Sequence, residues 1–342
     1  MSANDVDGQP ARGDRSGPLP APATNLTERL WWLAPLLLVP LLAGVELRDR
    51  DRAPTDPGVP SLPALSSGLP LHVHPRVERW VERYRTTHEH EFDALMARRG
   101  AFGGLIQEKL RARGMPEELL YLAMIESSLY PWAVSRVSAV GIWQFMSPTA
   151  VQYGLRIDEY VDERRDPIRA TDAALDYLDW LYTRFGSWYL AAAGYNAGPG
   201  RVERILNRHA DGRTGEEDLY WEILEHLPRE TREYVPRLVA LTILAYEADQ
   251  RDARPASAEQ ARAAAAEPYA YDRIFVPGGT ELSRIAAGLG VEPSILRDLN
   301  PHLVRGITPP DEIYAVRVPV GGSAAVMASL AGGAQLTAQA DD

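Results

Sequence analysis

The 342-residue chain contains no cysteine and a single lysine, Lys109. Without cysteine there is no disulfide framework, no thiol nucleophile, no iron–sulfur cluster, no thiolate zinc site and no cysteine to carry a lipid. Positive charge is also in short supply. The chain has 36 Lys+Arg against 47 Asp+Glu, a formal net charge of −11, and lacks the basic footprint that nucleic-acid binding requires. Seven histidines are scattered along it, and His88 and His90, two apart, fall on different helix faces and make no zinc pair. No glycine-rich loop leads into a helix carrying Lys and Ser/Thr, so a phosphate cradle is missing too. No cofactor is expected.

What is present falls into segments. Residues 1–28 are rich in Pro, Gly, Ala and Asp and read as disordered. They are followed by an apolar run from Leu30 to Val45, within a segment 29–46, flanked abruptly by charge and carrying Trp31 and Trp32 at one end. It is slightly short of the ~20 residues that cross a bilayer, yet too apolar for a solvent-facing helix. We read it as an inner-membrane anchor, with a cleaved secretory signal as the first rival and a buried core helix as the second; Leu41 and Leu42 make a bulky approach to a cleavage site. A proline-rich linker covers 47–70.

Folded sequence resumes near Leu71. Val77, Trp80, Val81 and Tyr84 recur at helical spacing, and Phe92, Leu95 and Met96 continue it before Gly100. This makes 71–115 a helical extension that packs on the region after it. Residues 116–248 show no alternating strand run and read as all-α. Asp166-Pro167 is a cap and first turn, its helix has an apolar face from Ala174 to Phe185, and Gly186 stops it. A helix from about Arg229 to Tyr246 is expected to kink or break at Pro236. The Arg/Glu run at 76–91 reads as a solvated helix face. After a linker at 249–267, the pattern across 268–320 is strand, helix, helix, strand, with a Gly/Ala-rich tail at 321–342.

Glu126 is the most informative residue. Leu119, Leu122 and Ala123 define an apolar helix face, and Glu126 falls on it at i+7 from Leu119. Burial there penalises the charged form and raises the carboxyl's pKa toward the ~6–7 that suits a general acid at neutral pH. A buried glutamate bonded to backbone amides or to an arginine fits the same position. Three blocks downstream bear on the choice: Glu126-Ser127-Ser128-Leu129-Tyr130-Pro131 with Ser135 and Gly141-Ile142-Trp143-Gln144-Phe145-Met146-Ser147-Pro148; Ala193-Gly194-Tyr195-Asn196-Ala197-Gly198-Pro199-Gly200-Arg201; and Glu230-Thr231-Arg232-Glu233-Tyr234-Val235-Pro236.

In order and spacing these blocks resemble the soluble-lytic-transglycosylase-type catalytic domain, and more narrowly the membrane-bound members whose order is anchor, catalytic domain, LysM. The resemblance implies a mainly α, lysozyme-like catalytic domain acting on peptidoglycan glycan strands. It implies a murein lytic transglycosylase that cuts between N-acetylmuramic acid and N-acetylglucosamine and leaves 1,6-anhydro ends, with Glu126 as sole acid/base. Hydrolytic glycosidases generally use two carboxyls, and residues 127–157 contain no Asp or Glu. By the same resemblance Ser135 and Gln144 contact the muramoyl group and Met146 is an apolar cleft residue. Tyr195, paired with Asn196, stands near the carboxyl; Tyr234 lines the cleft, and Glu230 anchors its helix. Gln144 and Asn196 also suit helix caps, while Trp143 and Phe145 read as core. Ser138 departs from the family pattern, standing where many relatives have glycine.

The stretch Val276-Pro277-Gly278-Gly279-Thr280, with Leu282, Ile285, Ala286, Leu296, Leu299 and Asn300, resembles LysM, a glycan-binding module. Gly279 replaces its usual Asp, so retained glycan affinity stays open. The whole reads as an envelope protein with no nucleic-acid partner. Its rivals are a lysozyme-like hydrolase and a catalytically idle wall-binding scaffold. Residues 116–248 hold 13 Arg against 21 Asp+Glu, so affinity for an anionic wall must come from contacts in the cleft.

Overall fold

Apolar residues recurring every three or four positions build a mainly helical protein, seen here in a computed structural model that describes residues 68–252 and 269–323. The expected disordered start (1–28), the Leu30–Val45 segment and nearly all of both linkers lie outside the described residues, as does most of the tail. Among the described residues, no helix is long and apolar enough to cross a membrane.

Two helices come first, α1 (Pro75–Arg85) and α2 (Glu89–Ala112). The second runs straight through Gly100, which therefore does not stop it. Its next glycine, Gly103, serves packing, because a Cβ there would meet Arg99 Cγ at 2.9 Å and Leu120 Cδ2 at 3.8 Å. The Arg/Glu run at 76–91 is a solvated face as expected, with every charged residue exposed except the half-buried Arg76 and Glu91, and several of its members also pair with other elements. Arg76 reaches Glu233 and Glu225, Arg85 reaches Glu247, and Arg237 lies 3.7 Å from Glu91, so the run straps α1 and the start of α2 to the last large helix.

After Pro116 a 3-10 turn (Glu117–Leu119) leads into α3 (Leu120–Ser127), whose residues 120–124 are all buried. A loop over 128–146 follows, stiffened by isolated bridges Val134–Val140 and Val140–Phe145, and then α4 (Ser147–Gln152). Helix α5 (Pro167–Phe185) begins and ends where its caps predict. Asp166 accepts from the Ile168 and Arg169 amides, and Gly186 closes it at φ 65°. Helices α6 (Trp188–Ala197), α7 (Pro199–His209) and α8 (Asp218–Glu222) follow, with Glu217 accepting from the first amides of α6.

Helix α9 (Arg229–Asp252) is continuous through Pro236, so of the two expected outcomes, a kink or a break, the helix does not break. Proline leaves the Arg232 carbonyl without its intrahelical donor. The buried Tyr220 hydroxyl lies within bonding distance of that carbonyl at 3.2 Å and of the Thr231 carbonyl at 2.9 Å. Helix α9 packs against α1, α3 and α6, around a core that includes Trp143, Tyr189, Leu178, Val235 and Leu238.

The C-terminal module has the order β1 (Asp272–Val276), α10 (Leu282–Leu289), α11 (Pro293–Leu299) and β2 (Tyr314–Val318). Its strands pair antiparallel, Asp272 opposite Val318 and Val276 opposite Tyr314. The module's small core also contains Val161, a residue of the helical region before it. Ala64–Asp342 accordingly forms one unit.

Candidate active site

Helix α3 delivers Glu126 one residue before its end, and the chain then turns through two left-handed residues, Ser128 (φ 54°) and Leu129 (φ 58°). Such conformations are costly for non-glycine residues and cluster at functional sites. The Glu126 side chain is half-buried. Burial pushes its carboxyl up to about 7. The Tyr234 hydroxyl pulls the value back, Glu230 adds to the rise, and Arg237 opposes it.

Tyr234, buried on α9, donates its hydroxyl to Glu126 Oε1 at 2.6 Å. Tyr195, on α6, instead donates to the Trp143 carbonyl at 2.8 Å. The structure thus places Tyr234, not Tyr195, in hydrogen-bond contact with the carboxyl. Tyr195 is still close enough for the Glu126 charge to help raise its own pKa, after burial. Its ring meets Trp143, Phe145 and Tyr177 with centroids 6.5, 6.4 and 5.3 Å away.

Asn196 ties two helices together. Its amide nitrogen donates to Glu230 Oε1 at 2.9 Å, and its amide oxygen accepts from Thr231 Oγ1 at 2.7 Å. Asn196 therefore caps no helix of its own; it joins the end of α6 to the start of α9, which carries Tyr234. Glu230 is engaged in that joint and also contributes its field to Glu126.

The 128–146 loop follows directly on the helix that carries Glu126. Ser135 Oγ accepts from the Ala139 amide at 3.0 Å and the Val137 amide at 3.3 Å, folding the loop tip. Gln144, at φ 49°, donates its side-chain amide to the Gly141 carbonyl at 2.8 Å. Met146 follows with 43% of its surface exposed, while Trp143 and Phe145 are core. At Gly141 (φ 83°) a Cβ would stand 1.7 Å from the Arg164 carbonyl oxygen, so only glycine fits. Ser138 holds φ 63° with a side chain, in a conformation that favours glycine.

Two participants escaped the sequence reading. Ser127, next to Glu126, donates to the Ile142 carbonyl at 2.8 Å and pins the loop to α3. Arg237, three residues after Tyr234 and so on the same helix face, brings positive charge toward the carboxyl. Proximity in the Glu-Ser pair and the i+3 spacing were the signals available. Among the described residues, no group of three or more His, Asp or Glu stands where it could hold a metal.

Two segments of the chain match known families. Residues 104–216 match the Transglycosylase SLT domain, and residues 270–334 match the LysM-like domain of lytic transglycosylase MltD. The first of these segments is similar to a transglycosylase SLT domain. Membrane-bound lytic murein transglycosylase D of Escherichia coli K12 is 32% identical over 197 residues, 57% of this chain and 41% of that protein. Peptidoglycan transglycosylase gp16 of Escherichia phage T7 is 38% identical over 104 residues, 30% of this chain and 8% of the phage protein. The lytic transglycosylase Slt of Pseudomonas aeruginosa is a solved structure 25% identical to it. The match covers 43% of this chain and 24% of Slt, with a TM-score of 0.35. The chain thus spans about two-fifths of the length of the first of these relatives. The matched SLT segment includes Glu126, Ser135, Gln144, Met146, Tyr195 and Asn196, while Tyr234 lies beyond it on α9.

Proposed function

We propose that the SLT domain is a murein lytic transglycosylase that cleaves the β-1,4 bond between N-acetylmuramic acid and N-acetylglucosamine without water. The observation that carries this reading is a half-buried carboxyl, Glu126, pushed up to about 7 and held by Tyr234. Near neutral pH a large fraction of it is protonated, as a general acid must be. Tyr234 occupies Oε1, leaving Oε2 to carry the acid proton. Glu126 gives that proton to the glycosidic oxygen as the C1–O bond breaks. The resulting carboxylate takes the proton of the muramoyl C6 hydroxyl as O6 bonds to C1. One bond breaks, one forms, and the product ends in a 1,6-anhydro sugar with Glu126 reprotonated.

In this scheme Tyr234 orients the acid and Asn196 fixes the helix that brings Tyr234. Tyr195 holds the Trp143 carbonyl, while Ser135, Gln144 and Met146 present the loop to the muramoyl side. The substrate supplies the nucleophile, so no second carboxylate is required. The closest rival is a hydrolase in which Glu230, whose charge is felt at Glu126, activates water. The curated relatives' names support an envelope-associated location, and we assign Leu30–Val45 as the membrane tether.

Digestion of purified sacculi, with mass analysis of the released fragments, tests the reading. The expected products are anhydro-muropeptides, one water lighter than reducing-end products, and Glu126→Gln releases none. Reducing-end products that vanish in Glu230→Gln establish the hydrolase. Equal failure of wild type and Glu126→Gln establishes the idle scaffold.

A further inference from the structure

We infer that the LysM-like module is a working part of the active site, with Arg317 as a positioning residue that holds the loop bearing Ser135 and Gln144. The inference rests on the reading of Glu126 as the catalytic acid. It starts from a buried ion pair between segments far apart in the chain. Arg317, on β2 of the module, donates Nη2 to Asp166 Oδ2 at 2.6 Å. Their side chains are 9% and 3% exposed. The other oxygen of Asp166 caps α5, so one carboxylate serves both the module and the catalytic helix. His302 of the module stands 3.4 Å from the same carboxylate. Backbone bonds extend the joint. The Asp162 amide donates to the His302 carbonyl at 2.9 Å, and the Val304 amide donates to the Tyr160 carbonyl at 3.0 Å.

The segment that receives the module, residues 157–166, also grips the loop. Arg164 donates from Nη1 to the Ser138 and Phe145 carbonyls, each at 3.2 Å, while its remaining nitrogens bond to Asp162. The Gly141 backbone presses against the Arg164 carbonyl with no room for a side chain. On its opposite side the loop is fixed by Ser127 to Ile142 and by Tyr195 to Trp143. The loop is therefore clamped between the Glu126 helix and a segment whose far side is the module. Taking away Arg317 strands a buried carboxylate between the two, a defect of a kind that disrupts its surroundings. None of the bonds in the link involves Tyr234, Glu230 or Arg237, the polar groups that act on the proton affinity of Glu126.

Full-length wild type, Arg317→Met and Arg317→Lys are compared by hydrogen exchange with mass spectrometry and by kinetics on soluble glycan strands. In Arg317→Met, peptides over 133–146 are expected to exchange about tenfold faster, the scale of coupling through a packed network, while α6 peptides stay at the wild-type rate. KM rises by about the same factor, kcat falls less, and the pH profile of kcat does not move. Arg317→Lys keeps a cation against Asp166 and lies between the two; it carries the comparison if Arg317→Met does not fold. Wild-type exchange over 133–146 in both variants overturns the inference, as does acceleration spread evenly over all helices. A wild type that releases nothing from sacculi overturns the catalytic reading instead, and the exchange result still decides the docking.

Discussion

Opposing influences meet at the Glu126 carboxyl. Burial and the Glu230 charge favour its neutral form, whereas the Tyr234 hydroxyl and Arg237 favour the anion. Its place at the C-terminal end of α3 adds the negative pole of the helix to the first pair. If Glu126 is the acid, kcat/KM falls as pH rises past about 7. Tyr234→Phe removes an influence that lowers the pKa, so that falling limb moves to higher pH and activity drops about tenfold, the effect of losing one hydrogen bond to a charged group. A limb that stays in place or moves down refutes the assignment. Stability follows with a defined sign. A carboxyl raised in the folded state contributes fully below its unfolded value of 4.5, and the contribution is lost as pH climbs toward 7. Glu126→Gln should therefore raise the melting temperature more at pH about 8 than at pH about 4, measured by calorimetry. Equal shifts at both pH values would count against a raised carboxyl. Glu126 was legible in the sequence because an acidic residue on an apolar helix stripe is a local signal. Its contact with Tyr234 spans 108 positions, and only the packing of α9 against α3 decides which tyrosine turns its hydroxyl inward.

Elements show the same division between local and distant causes. The caps of α5 are written in neighbouring residues, and both ends fall where Asp166 and Gly186 predict. The failures concern breakers whose cost is met from elsewhere in the fold. Gly100 does not end α2, and Pro236 does not end α9, because Tyr220 reaches the carbonyl that proline leaves without a donor. Tyr220→Phe should then lower stability by about 1–3 kcal/mol, the cost of an unsatisfied buried acceptor, in urea unfolding. No loss would show that α9 needs no such donor. In the loop, Ser138 carries a side chain at φ 63°. Ser138→Gly should stabilise by about 1 kcal/mol through relief of that conformation, seen as a higher urea midpoint at unchanged slope. An unchanged or lower midpoint would mean that the serine is not strained.

For the molecule as a whole, charge and connectivity matter more than any one contact. With 13 Arg against 21 Asp+Glu over 116–248, net attraction to an anionic polymer is absent. Binding to sacculi should hold or strengthen between ~0.05 M and ~0.5 M salt, since screening weakens only repulsion here. A pull-down that loses the protein at the higher salt would point to a local basic surface. The strand–helix–helix–strand order of the module was readable from turn residues and apolar spacing. Its seat on the catalytic region was not, because Asp166 and Arg317 stand 151 positions apart and neither carries a local mark of its partner. That separation has a consequence in time. At ~5–20 residues per second of synthesis, Asp166 leaves the ribosome roughly eight to thirty seconds before Arg317 does. The carboxylate of Asp166 therefore waits for β2 of the module before it meets its cation. If Arg317 supports the loop as proposed, a chain that has not yet made β2 holds Glu126 without a firm loop beside it.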